Sequence, residues 1–247
     1  MKYCVIGLGV FGRSICKHLS SLGAEVLAID NRDENVAYVK DFVTAAIAID
    51  YTDPTPFEHY AIRDMDAVIV ALGDNFEASM VLVMRMKELG AKQIVARVLS
   101  PMHERLLKIL KIDRVIVPEE FAARGLAHSL MMRGVVGGYD LGDNHVIIEA
   151  KTPRGLVGKT LLDVAEKFKK HDVLLVTVKR LAPSSVIGKV LGQDETMSPD
   201  AGRHTLGKPA LDCKFNVKDI LVLFGAQKKL SRFLDEMSAS DSPKAEK

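Results

Sequence analysis

The sequence predicts an α/β protein in which a doubly wound parallel sheet over residues 1–138 precedes a small α+β module over 139–237 and a polar tail over 238–247. Three observations predict it. Short apolar runs alternate with helical patterns through the first half of the chain, the order expected of right-handed parallel crossovers. A glycine turn, Gly7-Leu8-Gly9-Val10-Phe11-Gly12, follows the first run, and Asp30 closes the second. After Gly134-Val135-Val136-Gly137-Gly138 the rhythm changes, which places a domain boundary near residue 138.

In chain order, strands are expected at residues 2–6, 25–29, 43–49, 67–72, 93–98 and 114–117, and their apolar character suits a sheet covered on both faces. Helices are expected at 10–22, 33–41, 54–63, 75–89, 101–111 and 119–133, with start signals at Asp53-Pro54 and Ser100-Pro101. The second part reads as strands at 145–150, 172–179 and 220–225 with helices at 160–170 and 227–236. Residues 182–212, rich in Gly, Pro and Ser, form a connection longer than compact domains tolerate without functional or flexible character. The polar tail is expected to be disordered.

Composition narrows the function. With 247 residues, 48% hydrophobic and 27% charged, the chain can bury a sizeable core. Its net charge of +2 is spread without a basic cluster beyond the Lys167–Lys170 neighbourhood, which argues against a nucleic-acid partner. No apolar run approaches the roughly 18 residues that span a bilayer, and the start reads as a strand and not as a signal peptide, so the cytosol is expected. Cys4, Cys16 and Cys213 are odd in number and lack C-x-x-C spacing, which suits reduced thiols in a reducing compartment.

The glycine turn carries the chemistry. Gly7 would turn the chain out of the first strand, Gly9 would let backbone approach a pyrophosphate, and Gly12 would let the next helix pack on the strand. That helix points its unpaired amides and positive dipole end at phosphate. Asp30 follows the glycines at about the 20-residue spacing at which a carboxylate accepts from a ribose diol in Rossmann folds, and it disfavours a 2'-phosphate. Arg32 keeps a weak NADP option open. No G-x-S-x-G, H-E-x-x-H or P-loop pattern occurs. His145 and His171 flank strands as ordinary strand-end histidines, and Met80, Met84, Met131 and Met132 suit core or subunit packing. A nucleotide site without visible substrate chemistry points to sensing, and no catalytic residue is assigned.

Four segments in order then resemble the KTN/RCK regulatory subunits of bacterial Trk and Ktr potassium-uptake systems. They are Val5-Ile6-Gly7-Leu8-Gly9 through Phe11-Gly12; Ala71-Leu72-Gly73-Asp74-Asn75; Val95-Ala96-Arg97-Val98 with Ile112-Asp113-Arg114-Val115-Ile116-Val117-Pro118-Glu119; and Gly158-Lys159-Thr160-Leu161 with Lys218 to Gly225. The resemblance implies a TrkA-N domain followed by a TrkA-C domain. It also implies a cytosolic gating subunit without catalytic turnover, which binds ATP, ADP or NAD(H). As a homo-oligomer, an octameric ring of dimers, it would be peripheral on the inner face of the membrane through a potassium-translocating partner.

Carried over by position, Gly7, Gly9, Val10, Phe11 and Gly12 surround the phosphates and Asp30, Asn31 and Arg32 the ribose. Asp50, Tyr51 and Thr52 lie against adenine, Ala71, Gly73 and Asn75 line the site, and Arg97 reaches the terminal phosphate. Glu119 helps hold a divalent cation, Mg2+ or Ca2+, between paired subunits. Structural readings stand beside these: Asp50 could cap the turn at Pro54, Asn75 could cap its helix, and Arg97 could pair with a carboxylate. The helix at 119–133 is expected to present Phe121, Leu126, Leu130 and Met131 to a second subunit. ATP-responsive relatives place Arg where Val10 stands, so its absence shifts the expectation toward NAD(H) or ADP. Some relatives bind cyclic di-AMP with an Arg where this chain has Lys167, a poorer fork for phosphate. An NAD-dependent oxidoreductase and a free-standing nucleotide or redox sensor stay open as alternatives.

Overall fold

The computed structural model describes residues 1–51, 55–182 and 202–239. They fall into two compact units that divide between Glu119 and Glu120.

The first unit is built on a six-stranded parallel sheet of β1 (Lys2–Ile6), β2 (Glu25–Asp30), β3 (Ala45–Ala48), β4 (Ala67–Val70), β5 (Ile94–Arg97) and β6 (Arg114–Ile116), in the order β3-β2-β1-β4-β5-β6. Between their ends the central strands β1, β2 and β4 are apolar because both faces are covered. Cys4 and Ile6 of β1 join one core with Leu82, Val83 and Met86 of α3 (Phe76–Glu88) and Leu107 of α4 (Pro101–Ile109). Val5, between them, joins the opposite core with Cys16 of α1 (Val10–Ser21) and Val39 of α2 (Asp33–Val39). Alternate side chains of a strand point to opposite faces, so no polar alternation survives. Burial pushes the thiols of both Cys4 and Cys16 up to about 12, which keeps them protonated and inert.

The helix expected at 54–63 is not formed over its described part, which holds two 3₁₀ segments, Thr55–His59 and Ile62–Asp64. Ala61 (φ −69°, ψ 63°) makes a three-residue turn in which Ile62 N donates to Tyr60 O at 2.6 Å. That turn breaks the helical ladder and lets Phe57 and Ile62 both enter the core.

The division between units falls in the first turn of α5 (Pro118–Met131). Beyond it lies an antiparallel sheet ordered β10-β9-β11-β8-β7. Its strands are β7 (Val135–Gly142), β8 (His145–Lys151), β9 (Leu174–Leu181), β10 (Arg203–Thr205) and β11 (Ile220–Ala226). The boundary expected near residue 138 therefore falls inside a strand: Gly137 pairs with Glu149 and Gly138 with Ile148. Of these glycines only Gly138 answers to packing, since a Cβ there would stand 3.1 Å from Ile147 O, whereas one on Gly137 would meet nothing within 4 Å.

One face of this sheet packs Ile148, Val178, Leu221 and Leu223 against Phe168 of α6 (Leu161–Lys170) and Leu230, Phe233 and Met237 of α7 (Gln227–Ala239). A capping box between Thr160 and Asp163 starts α6. At the end of β9, Arg180 holds the buried Asp219 carboxylate by two bonds, Nε to Oδ1 at 2.9 Å and NH2 to Oδ2 at 2.7 Å. Within the connection expected at 182–212, β10 is an additional strand, and residues 183–201 lie outside the described residues. Ser238 and Ala239 close α7, so the expected tail loses its first two residues, and 240–247 also lie outside.

Candidate functional site

The strand order reverses between β1 and β4, and at such a switch point the loops beyond the carboxyl ends of neighbouring strands splay apart and leave a crevice. Ile6 pairs with Ile29 on one side and Val70 on the other. Gly7 N and Ala71 N extend those ladders, donating to Ile29 O and Ile6 O at 2.8 Å each. The three loops therefore leave the sheet level with one another, around a cleft of about 420 Å³.

Gly7 and Gly9 line it from the first loop, Asp30, Asn31 and Arg32 from the second, and Tyr51 from the loop after β3. Ala71, Gly73 and Asn75 follow β4, and Arg97 ends β5. Leu72 and Asp74 also line the cleft. They were missed as site residues although they sit in the same Ala71–Asn75 motif, which was the available signal. Val10, Phe11, Gly12, Asp50 and Glu119 are not among the lining residues, and Thr52 lies outside the described residues.

The glycines divide their labour. Gly7 has φ +93°, and a Cβ there would stand 3.0 Å from Leu72 N, so the turn needs glycine on both counts. A Cβ on Gly12 would fall 1.9 Å from Gly7 O, so this residue seats α1 against the loop and not against a ligand. At Gly9 an added Cβ meets nothing within 4 Å, which leaves the space above it open. Gly9 is also the N-cap of α1, whose amino end has no capping side chain and no acid in its first turn. Its orphan amides and dipole are left for an anion from outside the chain. Val10, at the first helical position, is 76% exposed and brings no charge to that end.

Asp30 is almost wholly buried, and the protein itself supplies its donors. Oδ2 accepts from Leu8 N at 2.6 Å, while Oδ1 accepts from Arg32 N at 2.9 Å and from Asn35 Nδ2 at 3.0 Å. The carboxylate thus ties the glycine loop to the start of α2. Asn35, in the first turns of that helix, was invisible to sequence spacing. Next to Asp30, the Tyr51 hydroxyl is buried and faces the carboxylate and the Asn31 amide. Burial first, and then the Asp30 charge, hold its phenol well above the ordinary range.

At the other end, the Arg97 guanidinium lies over Gly73, where a Cβ would stand 2.8 Å from its NH1. Its carbon is 6.0 Å from the Phe11 ring centre, and its NH2 pairs with the exposed Glu119 carboxylate. The Glu119 carboxyl is held below its usual range by its own backbone amide and by Arg97. Asn75 caps α3, its side-chain oxygen accepting from Ala78 N at 2.9 Å. For Asn75 and Arg97 the structural alternatives, a cap and an ion pair, are both realised. Among the described residues no group of three or more His, Cys, Asp or Glu gathers as a metal site, and no helix is long and apolar enough to cross a membrane.

A helix amino end without a capping side chain, open room at Gly9, a buried carboxylate and an arginine guanidinium line one cleft. A model of the TrkA-N domain matches residues 3–118. The chain is similar to Ktr system potassium uptake protein C of Bacillus subtilis (strain 168), 30% identical over 94% of this chain and 95% of that protein. It is likewise similar to Ktr system potassium uptake protein A of the same organism, 30% identical over 95% and 96%. Among solved structures it resembles the GsuK RCK domain at 17% identity and TM-score 0.57, over 94% of this chain and 47% of that one. The GsuK channel bound to NAD matches at 15% identity and TM-score 0.58, over 96% and 39%. This chain therefore spans less than half of either solved chain, and at such identities the likeness shows the fold.

Proposed function

The chain belongs to the KTN/RCK family of Ktr potassium-uptake regulatory subunits, and from that premise we propose that adenine-nucleotide or NAD(H) occupancy of its cleft controls a membrane potassium-translocating partner. The observation that carries the reading is the amino end of α1, left without a cap or an acid and opening on a cleft with Asp30 and Arg97 at its two ends. Ligand control requires differential binding, because a ligand shifts an equilibrium only by its preference for one arrangement. A terminal phosphate competes with Glu119 for Arg97, so an occupied cleft releases the Glu119 carboxylate. That carboxylate then becomes available to a divalent cation, Mg2+ or Ca2+, shared with a paired subunit. Phe121, Leu126, Leu130 and Met131 are exposed along α5 and suit a dimer contact within a larger ring.

Val10 contributes no charge where a cationic side chain would add a bond of about 1.5–3 kcal/mol, which favours NAD(H) or ADP over ATP. Calorimetric titration with ATP, ADP, NADH and NAD, with and without Mg2+ or Ca2+, tests the reading while light scattering follows assembly size. Expected are tight binding of an adenine nucleotide to a large assembly, cation dependence, and loss of that dependence in Glu119→Gln. Substrate-dependent turnover of NAD(H) by a monomer or dimer that ignores divalent cations would move the protein to the oxidoreductases.

A further inference from the structure

His103, in the first turn of α4, is wholly buried and touches the chain just beyond two of the cleft residues. Its Nδ1 accepts from Leu99 N at 3.2 Å, two residues after Arg97. Its ring meets that of Phe76, next to Asn75, edge to face with centres 5.2 Å apart. Because Nδ1 accepts, the neutral ring carries its proton on Nε2, which is buried without a partner among the described residues. A second proton would have to go on Nδ1, where the Leu99 N–H already points, and would bury a charge with nothing to compensate it. The charged residues that the adjoining elements carry here are Asp74 and Glu77 at the start of α3, Arg97 at the end of β5, and Glu104 and Arg105 on α4. Arg97 is paired with Glu119 and Glu104 with Lys108. Burial is the one influence that moves the His103 titration, and it moves it downward.

We propose that His103 is a positioning residue whose neutral ring ties the segment after Arg97 to the start of α3, so that acid undoes the tie and weakens nucleotide binding. This rests on the nucleotide reading above. A protonated ring cannot accept from Leu99 N and leaves its place beside Phe76, which frees the segment that holds Arg97 at the cleft. Ligand and proton therefore exclude each other, and the coupling is reciprocal. His103 itself touches no ligand; it acts through Leu99 and Phe76.

The experiment titrates the full chain with whichever of ADP and NAD binds more tightly, between about pH 7.5 and pH 5. Wild-type affinity should hold down to about pH 6.5, the ordinary histidine value, and fall below it by at most about tenfold per pH unit, because one proton is involved. His103→Leu should bind roughly threefold to tenfold more weakly at neutral pH and lack that decline. His103→Asn, whose side-chain oxygen can accept from Leu99 N, should recover part of the lost affinity and also lack the decline. Using one ligand throughout cancels protons taken up by its own phosphates, and the wild-type and His103→Asn pair decides alone if His103→Leu does not fold. Amide hydrogen exchange gives a reading without ligand. The Leu99 N–H should lose protection in acid relative to the Val98 N–H, which donates to Ile116 O, and in His103→Asn it should not. A wild-type protein whose affinity follows the same pH course as the variants would overturn the proposal, as would a Leu99 amide that keeps pace with Val98. If neither ADP nor NAD binds at any pH, the nucleotide reading itself falls and the coupling to ligand with it, whatever the Leu99 amide does.

Discussion

Replacing Gly12 with alanine should damage the fold, while the same change at Gly9 should damage only the cleft. At Gly12 the new methyl would stand 1.9 Å from Gly7 O and 3.0 Å from Gly7 C. Carbon and oxygen pack no closer than about 3.4 Å, so α1 must retreat by roughly 1.5 Å from its loop. Overpacking of that kind costs about 1–3 kcal/mol. The retreat also pulls Leu8 N from Asp30 Oδ2, a buried charge-assisted bond of 2.6 Å in which about 1.5–3 kcal/mol is at stake. A loss of about 3 kcal/mol or more is expected, read as a fall of roughly 10 °C in melting temperature and a lower urea midpoint. At Gly9 the backbone (φ −64°, ψ −172°) is open to alanine, and the added carbon meets nothing of the protein. The weaker N-cap and the stiffer unfolded chain nearly cancel, leaving stability within about 0.5 kcal/mol. The methyl does intrude on the space above the α1 amides, so nucleotide affinity should fall at least tenfold. A Gly12→Ala protein as stable as wild type, or a Gly9→Ala protein that melts as early as Gly12→Ala, would refute the division of roles.

Three further outcomes are expected. Asn75→Ala removes the α3 cap and should cost about 1 kcal/mol in urea unfolding, and a larger loss of nucleotide affinity than of stability would add a ligand role to the cap. Arg180→Met leaves the Asp219 carboxylate, 1% exposed, without its two guanidinium bonds, and should cost about 3 kcal/mol by the same measurement. His103 is buried, accepts from Leu99 N through Nδ1 at 3.2 Å and is held below the ordinary histidine range by desolvation. Below the unfolded value of about 6.5 the unfolded chain therefore binds a proton that the native state declines, and stability falls as pH drops. Urea midpoints taken between about pH 7 and pH 5 should decline less steeply in His103→Gln than in wild type.

Much of the first unit was legible because its signals are local. An apolar run, three glycines and an acid at fixed spacing each report a constraint that acts within about thirty residues. The run from Val5 to Asp30 was accordingly read with its elements in place and its strands within a residue of the observed ends. The expected helix at 54–63 failed where Ala61 adopts a three-residue turn, which composition does not announce. The glycines at 137 and 138 misled more seriously. Glycine signals a break when only chain entropy is considered, but here both residues continue a strand whose hydrogen bonds come from β8.

In the site, residue types and spacing pointed to a nucleotide at Gly7, Gly9 and Asp30, the family resemblance added the β4 loop, and all of them line one cleft. What only tertiary structure decided is how each group is spent. Gly12 packs behind the cleft, Asn75 is committed to Ala78, and Arg97 is paired with Glu119. Asp30 is engaged by Leu8, Arg32 and Asn35. Hydrogen-bond capacity is shared among neighbours in space, so a sequence can name the donors and acceptors, but only the folded chain assigns them to one another.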